Sequence, residues 1–108
     1  MALTTNNQDN SYGVSNFATG YVVTDAGAAA DTTFTCGFVP RLVRFRNVTD
    51  RISDEWYEGM AAASSIHTVA AGTVTLEVTN GITVTGNGFT VKAATILASK
   101  TFAWEAVC

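Results

Sequence analysis

His67 is the only histidine in the 108-residue chain, and it is the first side chain to consider for catalysis. A nucleophilic triad would place it beside a carboxylate and a serine or cysteine. Serines and carboxylates occur along the whole chain, but no sequence motif of a known nucleophile surrounds His67. We therefore interpret His67 as an ordinary strand residue and predict that the protein has no catalytic residues and is not an enzyme.

An acidic cluster is the second candidate, because grouped carboxylates can bind calcium or hydrolyse glycosides. Its members are Asp50, Asp54, Glu55 and Glu58. Their order does not match an EF-hand loop, and a chain of 108 residues has little room for a substrate cleft. Two cysteines and one histidine also make a poor zinc site. We predict no metal and no cofactor, with these acids solvated or paired with arginines.

The chain has one basic cluster, which consists of Arg41, Arg44, Arg46 and Arg51. Binding of single-stranded nucleic acid favours aromatic side chains on the same face as the basic ones. Phe45 alternates with Arg44 and Arg46 and so points to the opposite face of a strand. The formal net charge of −3 and pI near 4.8 also disfavour nucleic acid as a partner. Ion pairs within the chain, or a contact between subunits, are the remaining interpretations.

Short strands must position these residues. Apolar, β-branched and polar residues alternate in short segments that are separated by turn residues, at intervals of about 8–12 residues. The pattern predicts an all-β, single-domain fold of about eight strands. It fits a β-sandwich, a jelly roll and a small barrel equally and does not distinguish among these architectures. We expect residues 1–18 to form an extended N-terminal arm and residues 19–108 to form the β domain.

The segment 41–48 has the strongest strand pattern. It places Val43 and Phe45 on the core face, and Trp56 of the following strand is expected to point inward with Asp54 and Glu58 at the rims. Because the first strand is basic and the second acidic, opposite charges should pair between them. Further along, Val74, Leu76 and Val78 share one face of a strand, and Asn80-Gly81 predicts a tight hairpin turn.

The N-terminal segment lacks the basic and apolar regions of a signal peptide, and no apolar run is long enough for a membrane helix. We therefore expect synthesis in a cytoplasm, no membrane contact, and reduced thiols at Cys36 and Cys108, with a disulfide between them left open for an oxidising compartment. The polar, Asn-rich arm is expected to become ordered against a partner. Its candidate contact residues are Leu3, Tyr12 and Phe17.

The later half of the chain is poor in charge. Only Glu77, Lys92 and Lys100 are ionised between positions 72 and 104, and the chain contains 17 threonines. Charged side chains on edge strands usually prevent these strands from pairing with other chains. A threonine-rich face with few charges therefore favours a surface that lies against other subunits.

Several segments carry a family resemblance. They are Gly37-Phe38-Val39-Pro40-Arg41-Leu42-Val43-Arg44-Phe45, Asn47-Val48-Thr49, Glu55-Trp56, Gly81-Ile82-Thr83-Val84, Gly88-Phe89-Thr90-Val91 and Trp104-Glu105-Ala106. Over residues 20–107 the chain resembles small structural proteins encoded near the head genes of tailed bacteriophages.

The resemblance implies a virion protein that is made in the host bacterial cytoplasm. It would be a decoration (cement) protein on the outside of the phage head, a homo-trimer whose partner is the major capsid protein. Two alternatives stay open. One is a carbohydrate- or receptor-binding module on a phage particle, with Trp56, Tyr57 and Trp104 as a stacking platform, and the other is a tail or head-completion protein.

Overall fold

Eight antiparallel strands make up the regular structure of the computed structural model, which describes residues 17–108. They are β1 (Phe17–Val23), β2 (Thr32–Thr35), β3 (Leu42–Asn47), β4 (Ile52–Tyr57), β5 (Ser64–Thr68), β6 (Val74–Val84), β7 (Gly88–Val91) and β8 (Thr101–Val107). Residues 17–108 contain no helix, and so none that is long and apolar enough to cross a membrane. The prediction of an all-β fold of about eight short strands is confirmed.

All eight strands belong to one sheet in the order β1-β8-β3-β4-β5-β6-β7-β2. The sheet curls into a half-barrel and brings β2 over the middle strands. The ring centre of Phe34 on β2 lies 5.7 Å from that of Phe45 on β3 and 5.8 Å from that of Trp104 on β8. Since β1 and β2 each pair on one side only within the described residues, the fold is a single curled sheet with two edges.

The hydrophobic core lies on the concave side of this sheet. Its buried members are Val43, Phe45, Trp56, Ile82, Phe89, Val91, Ile96, Phe102 and Ala106. Aromatic rings hold its centre, with Phe45 stacked on Phe102 at 5.1 Å and the Trp104 ring edge-on to Phe89 at 5.1 Å. Gly20 on β1 makes room for the Trp104 indole, which occupies the position that a Cβ at residue 20 would take.

The predicted pairing of the basic and acidic strands is confirmed. Val43 and Phe45 of β3 are fully buried, and Trp56 of β4 points inward beside them. Arg44 lies opposite Glu55 in the register of the two strands, and Arg41 Nε lies 3.1 Å from Glu58 Oε2. The period-2 alternation of this segment therefore predicted its buried face, and the opposite charges of the two strands predicted their pairing.

The predicted hairpin turn at Asn80-Gly81 is wrong. The chain runs through this dipeptide as part of the long strand β6, and the β5–β6 register jumps there, with Ser65 opposite Glu77 but Ser64 opposite Ile82. Gly81 is required for a different reason. A Cβ at this position would come closer than 3.0 Å to backbone atoms of Ser64 and Ser65, so only glycine allows β5 to approach.

The jump in register between β5 and β6 is a β-bulge, and it reverses the face that β6 presents to the core. Before it, Val74, Leu76 and Val78 point outward and are 60–66% exposed, whereas after it Ile82 is fully buried. An uninterrupted strand would keep residues 76 and 82 on the same side, because side chains alternate with a period of two. The extra residues in β6 thus turn an apolar stripe toward solvent in the first half of the strand.

Two residues of the predicted N-terminal arm belong to the sheet. Residues 17–18 lie in strand β1 and pair with Val107 and Ala106 of β8. Phe17 is 58% exposed at the start of this edge strand. Residues 1–16, with the predicted contact residues Leu3 and Tyr12, lie outside the described residues.

Candidate functional site

A buried carboxylate–histidine pair forms the main polar cluster on the concave side. Asp54 of β4 stands opposite His67 of β5 in the strand register, and directly opposite residues share a face of the sheet. The Asp54 side chain is only 3% exposed, and its Oδ1 lies 2.8 Å from His67 Nδ1. Ser65 Oγ donates a second hydrogen bond of 2.8 Å to the same oxygen. The expectation that Asp54 lies at the strand rim is therefore wrong.

The hydrogen bond to Asp54 defines the tautomer of His67. Since a carboxylate accepts, the neutral ring carries its proton on Nδ1, and Nε2 is left with a free lone pair. Within residues 17–108, Nε2 makes no hydrogen bond. In a catalytic triad this atom would bind the nucleophilic hydroxyl, whereas Ser65 bonds to the carboxylate instead. The cluster is arranged to accept hydrogen bonds and lacks an aligned nucleophile among the described residues.

The pair borders a cavity of about 170 Å³. Apolar side chains line one part of it, among them Phe45, Ile52 and Phe102, and polar groups line the rest. Glu77 of β6 adds a second carboxylate, and the backbone N–H of Thr79, followed by those of Val78 and Asn80, lowers its pKa. Backbone donors of this kind stabilise the ionised form, so Glu77 is charged at neutral pH.

The other members of the acidic cluster do not join this cavity. Glu58 pairs with Arg41, and Asp50 Oδ1 lies 3.2 Å from Lys100 Nζ. Glu55 accepts a 2.7 Å hydrogen bond from the Tyr57 hydroxyl. Among residues 17–108 no group of three or more histidine, cysteine and acidic side chains is placed to hold a metal ion. The predicted pairing of the acids with arginine holds for Glu55 and Glu58.

An ion-pair network occupies the middle of the convex face. Arg44 Nη1 lies 3.2 Å from Glu105 Oε1, and Arg44 Nε lies 3.9 Å from Glu55 Oε2. Hydrogen bonds to Tyr57 and then Glu105 raise the pKa of Arg44. These contacts run across β8, β3 and β4, so Arg44 of the arginine cluster pairs with acidic residues of both neighbouring strands.

Two apolar surfaces flank this network. The first, which we call the edge surface, is carried by Phe17, Tyr21 and Val23 on β1, which are 58–74% exposed. The second, the hairpin surface, is carried by Val74, Leu76 and Val78 on β6. Neither strand has a lysine or arginine, and β1 has no charged residue at all. Exposed apolar side chains of this size on neighbouring positions are typical of protein contact surfaces.

The aromatic platform considered for a carbohydrate-binding module is not assembled. Trp56 is buried, and Trp104 packs within the core aromatic cluster. Tyr57 is exposed, but it lies next to Trp56 in β4 and so points to the opposite side of the sheet. Both cysteines have free thiols, with Cys36 Sγ donating a 3.3 Å hydrogen bond to the Phe38 carbonyl and Cys108 exposed.

Sequence reasoning missed the cavity cluster. Asp54, Ser65, His67 and Glu77 come from three strands, and only their register brings them together. One signal was present in the sequence: Asp54 shares the alternation of Trp56, so a strand that buries Trp56 also turns Asp54 inward.

The chain matches no protein-family model, no curated protein and no solved structure.

Proposed function

We propose that the protein is a virion structural protein, a decoration protein that binds the outside of a tailed-phage head and stabilises it. The observation that carries the proposal is the hairpin surface. Its side chains Val74, Leu76 and Val78 are 60–66% exposed although they form the apolar stripe of a regular strand. A fold that turns such a stripe outward with a bulge is suited to bury it against another protein.

The size of this surface suits a role that depends on repetition. Covering its three side chains would contribute about 3–5 kcal/mol per copy, before the entropic cost of association is subtracted. One such contact is weak. A shell presents many equivalent sites, and a symmetric oligomer engages several of them at once, so that weak contacts add up. The major capsid protein of the head is the partner we propose for this surface.

The unpaired edge of strand β1 supports the proposed homo-trimer. Strand β1 pairs with β8 on one side and has no neighbour among the described strands on the other, and β2 is the second free edge. An uncharged edge strand is a template for pairing with another chain. Pairing of β1 of one copy with β2 of the next is a heterologous contact, and three such contacts close a ring if the angle between copies is suitable. In this proposal the paired edges of β1 and β2 hold the trimer together and the hairpin surface faces the head.

The experiment is sedimentation of the protein with expanded heads that are assembled from the major capsid protein of the same phage. The wild type should sediment with the heads, and the free protein should sediment as three chains of 11.4 kDa. Leu76→Glu should bind the heads at least about tenfold more weakly, because it removes apolar burial and places a charge in the contact.

Val48→Glu is the matched control. Val48 is 54% exposed and lies outside both apolar surfaces, so this variant carries the same new charge but should bind like the wild type. Thermal unfolding of all three proteins should be alike, because both substituted side chains face solvent. Failure of the wild type to bind heads, or equal loss of binding in both variants, would contradict the proposal.

A further inference from the structure

The cavity beside Asp54 has a composition that selects for one kind of ligand. Its volume of about 170 Å³ corresponds to roughly five or six water molecules, which is enough for a small organic group. The apolar part consists of side chains such as Phe45, Ile52 and Phe102. The polar part contains two carboxylates and an imidazole, and no lysine or arginine is among the described residues that line it.

Asp54 is the group that points to a ligand. Its side chain is 97% buried, and both of its hydrogen bonds, from Ser65 and His67, go to Oδ1. Oδ2 accepts no hydrogen bond from residues 17–108. Two buried side-chain polar atoms of residues 17–108 have no hydrogen-bond partner, one on Arg44 and one on Thr85. Asp54 Oδ2 is not one of them, so this oxygen is open to the cavity that Asp54 lines. Because Oδ2 is open to the cavity and accepts nothing from the described residues, its donor must come from the cavity, as water or as a ligand.

The neighbouring groups are acceptors as well. In the neutral form of its ring, His67 presents the lone pair of Nε2, since Nδ1 is bonded to Asp54. Glu77 is kept ionised by backbone N–H groups. Two polar groups of the lining are already engaged, because the Asn47 side-chain amide binds Asp50 and the Thr95 hydroxyl donates to the Asn80 carbonyl. The cavity therefore offers several acceptors and a net negative charge.

We propose that this cavity binds a primary ammonium group on a short alkyl chain. An ammonium carries three N–H donors and one positive charge, which suits a cavity lined by the open Oδ2 of Asp54 and the carboxylate of Glu77. Its alkyl chain would lie against Phe45 and Phe102, which line the apolar part of the cavity. An anion is repelled by the two carboxylates.

The ammonium has two possible sources, a free small amine or a lysine side chain of a partner protein. This inference does not depend on the proposed function, because it concerns the concave side of the sheet and not the hairpin surface. The chemistry recognised is the same for both sources, and the two arms of the experiment separate them.

The experiment is an NMR titration of the full chain at neutral pH with n-butylammonium chloride, followed on the His67 imidazole and on backbone amides of β4–β6. Saturable shifts confined to residues around the cavity are expected. n-Butanol, which lacks the charge, and tetramethylammonium, which lacks N–H donors, should cause much weaker shifts. Nα-acetyl-lysine methylamide forms the second arm. Tighter binding of this lysine analogue would identify a protein lysine as the source, and tighter binding of butylammonium a free amine.

Glu77→Gln is the test variant, because Glu77 is partly exposed and its replacement leaves the Asp54–His67–Ser65 cluster in place. It should weaken butylammonium binding by about tenfold, since a hydrogen bond between charged groups becomes one to a neutral amide. Glu58→Gln, an equal change of charge outside the cavity, should bind like the wild type. The proposal is overturned if the wild type shows no saturable shift, if n-butanol binds equally well, or if both variants lose affinity alike.

Discussion

The substitution Gly81→Ala tests the way in which β6 passes β5. If Asn80-Gly81 were a hairpin turn, the glycine would serve a positive φ angle at an exposed loop tip. In the structure Gly81 is buried and lies inside the strand, and the N–H of Gly81 donates a 2.9 Å hydrogen bond to the Ala63 carbonyl. An added Cβ would come within 3.0 Å of backbone atoms of Ser64 and Ser65. Backbone atoms cannot rotate away, so the two strands must separate.

The cost follows from these contacts. Forcing a methyl group into a tightly packed site costs about 1–3 kcal/mol, and loss of the hydrogen bond to Ala63 adds about 1 kcal/mol. We therefore expect Gly81→Ala to lower the free energy of unfolding by about 2–4 kcal/mol. For a domain of this size the melting temperature should fall by about 10–20 °C. Such a loss is a large fraction of the stability of a typical domain, which is about 5–15 kcal/mol.

Gly86→Ala is the matched control. Gly86 has no atom within 4 Å of an added Cβ and does not have a positive φ angle, so alanine should change the free energy of unfolding by about 0.5 kcal/mol or less. Urea unfolding followed by tryptophan fluorescence measures both variants, since Trp56 and Trp104 pack on the core side of the sheet. Equal stabilities of the two variants would refute the bulge and the close approach of β5.

Three further outcomes are expected. Asp54→Ala should lower the free energy of unfolding by about 3 kcal/mol, because Ser65 and His67 lose their shared acceptor. Glu58→Ala removes only an exposed ion pair with Arg41 and should lower it by about 1 kcal/mol or less. Urea unfolding of the two variants measures this difference. The pKa of Glu77 is lowered in the folded state, so folding favours the ionised form of this side chain. The wild type should therefore be more stable than Glu77→Gln above pH 4.5, the ordinary pKa, and this advantage should be lost as the pH falls from 4.5 through the lower pKa of the folded state. Urea midpoints measured across this range would show no such decline if the backbone donors did not act on Glu77. A chain that begins at Phe17 should bind phage heads more weakly than the full chain with an almost unchanged melting temperature, and equal binding in the sedimentation assay would reject the proposed role of the arm.

Local patterns predicted much of the sheet. The alternation in 41–48 placed Val43 and Phe45 in the core and led to the charge pairing of Arg44 with Glu55, because adjacent strands with opposite charges gain from lying side by side. The inward position of Trp56 followed from the same period. These predictions succeeded because each depends only on which side of a strand a residue faces and on its neighbour in the chain.

The cavity cluster was not predicted, because its members are joined by register and not by proximity in sequence. Asp54 and His67 are 13 residues apart and meet only because β4 and β5 pair in one particular alignment. A shift of one residue would move His67 to the convex side. The same holds for Glu77, whose place in the lining depends on the alignment of β5 with β6.

The sequence by itself determined an all-β chain of short strands, with a core built from alternating apolar residues and a later half poor in charge. Only the tertiary structure decided that the strands form one curled sheet, that β6 turns Val74, Leu76 and Val78 outward, and that a buried carboxylate faces a cavity. The physical reason is that alternation defines two faces of a strand without saying which one is covered. That choice is made by the bulge at Gly81 and by the strands that pack opposite each face.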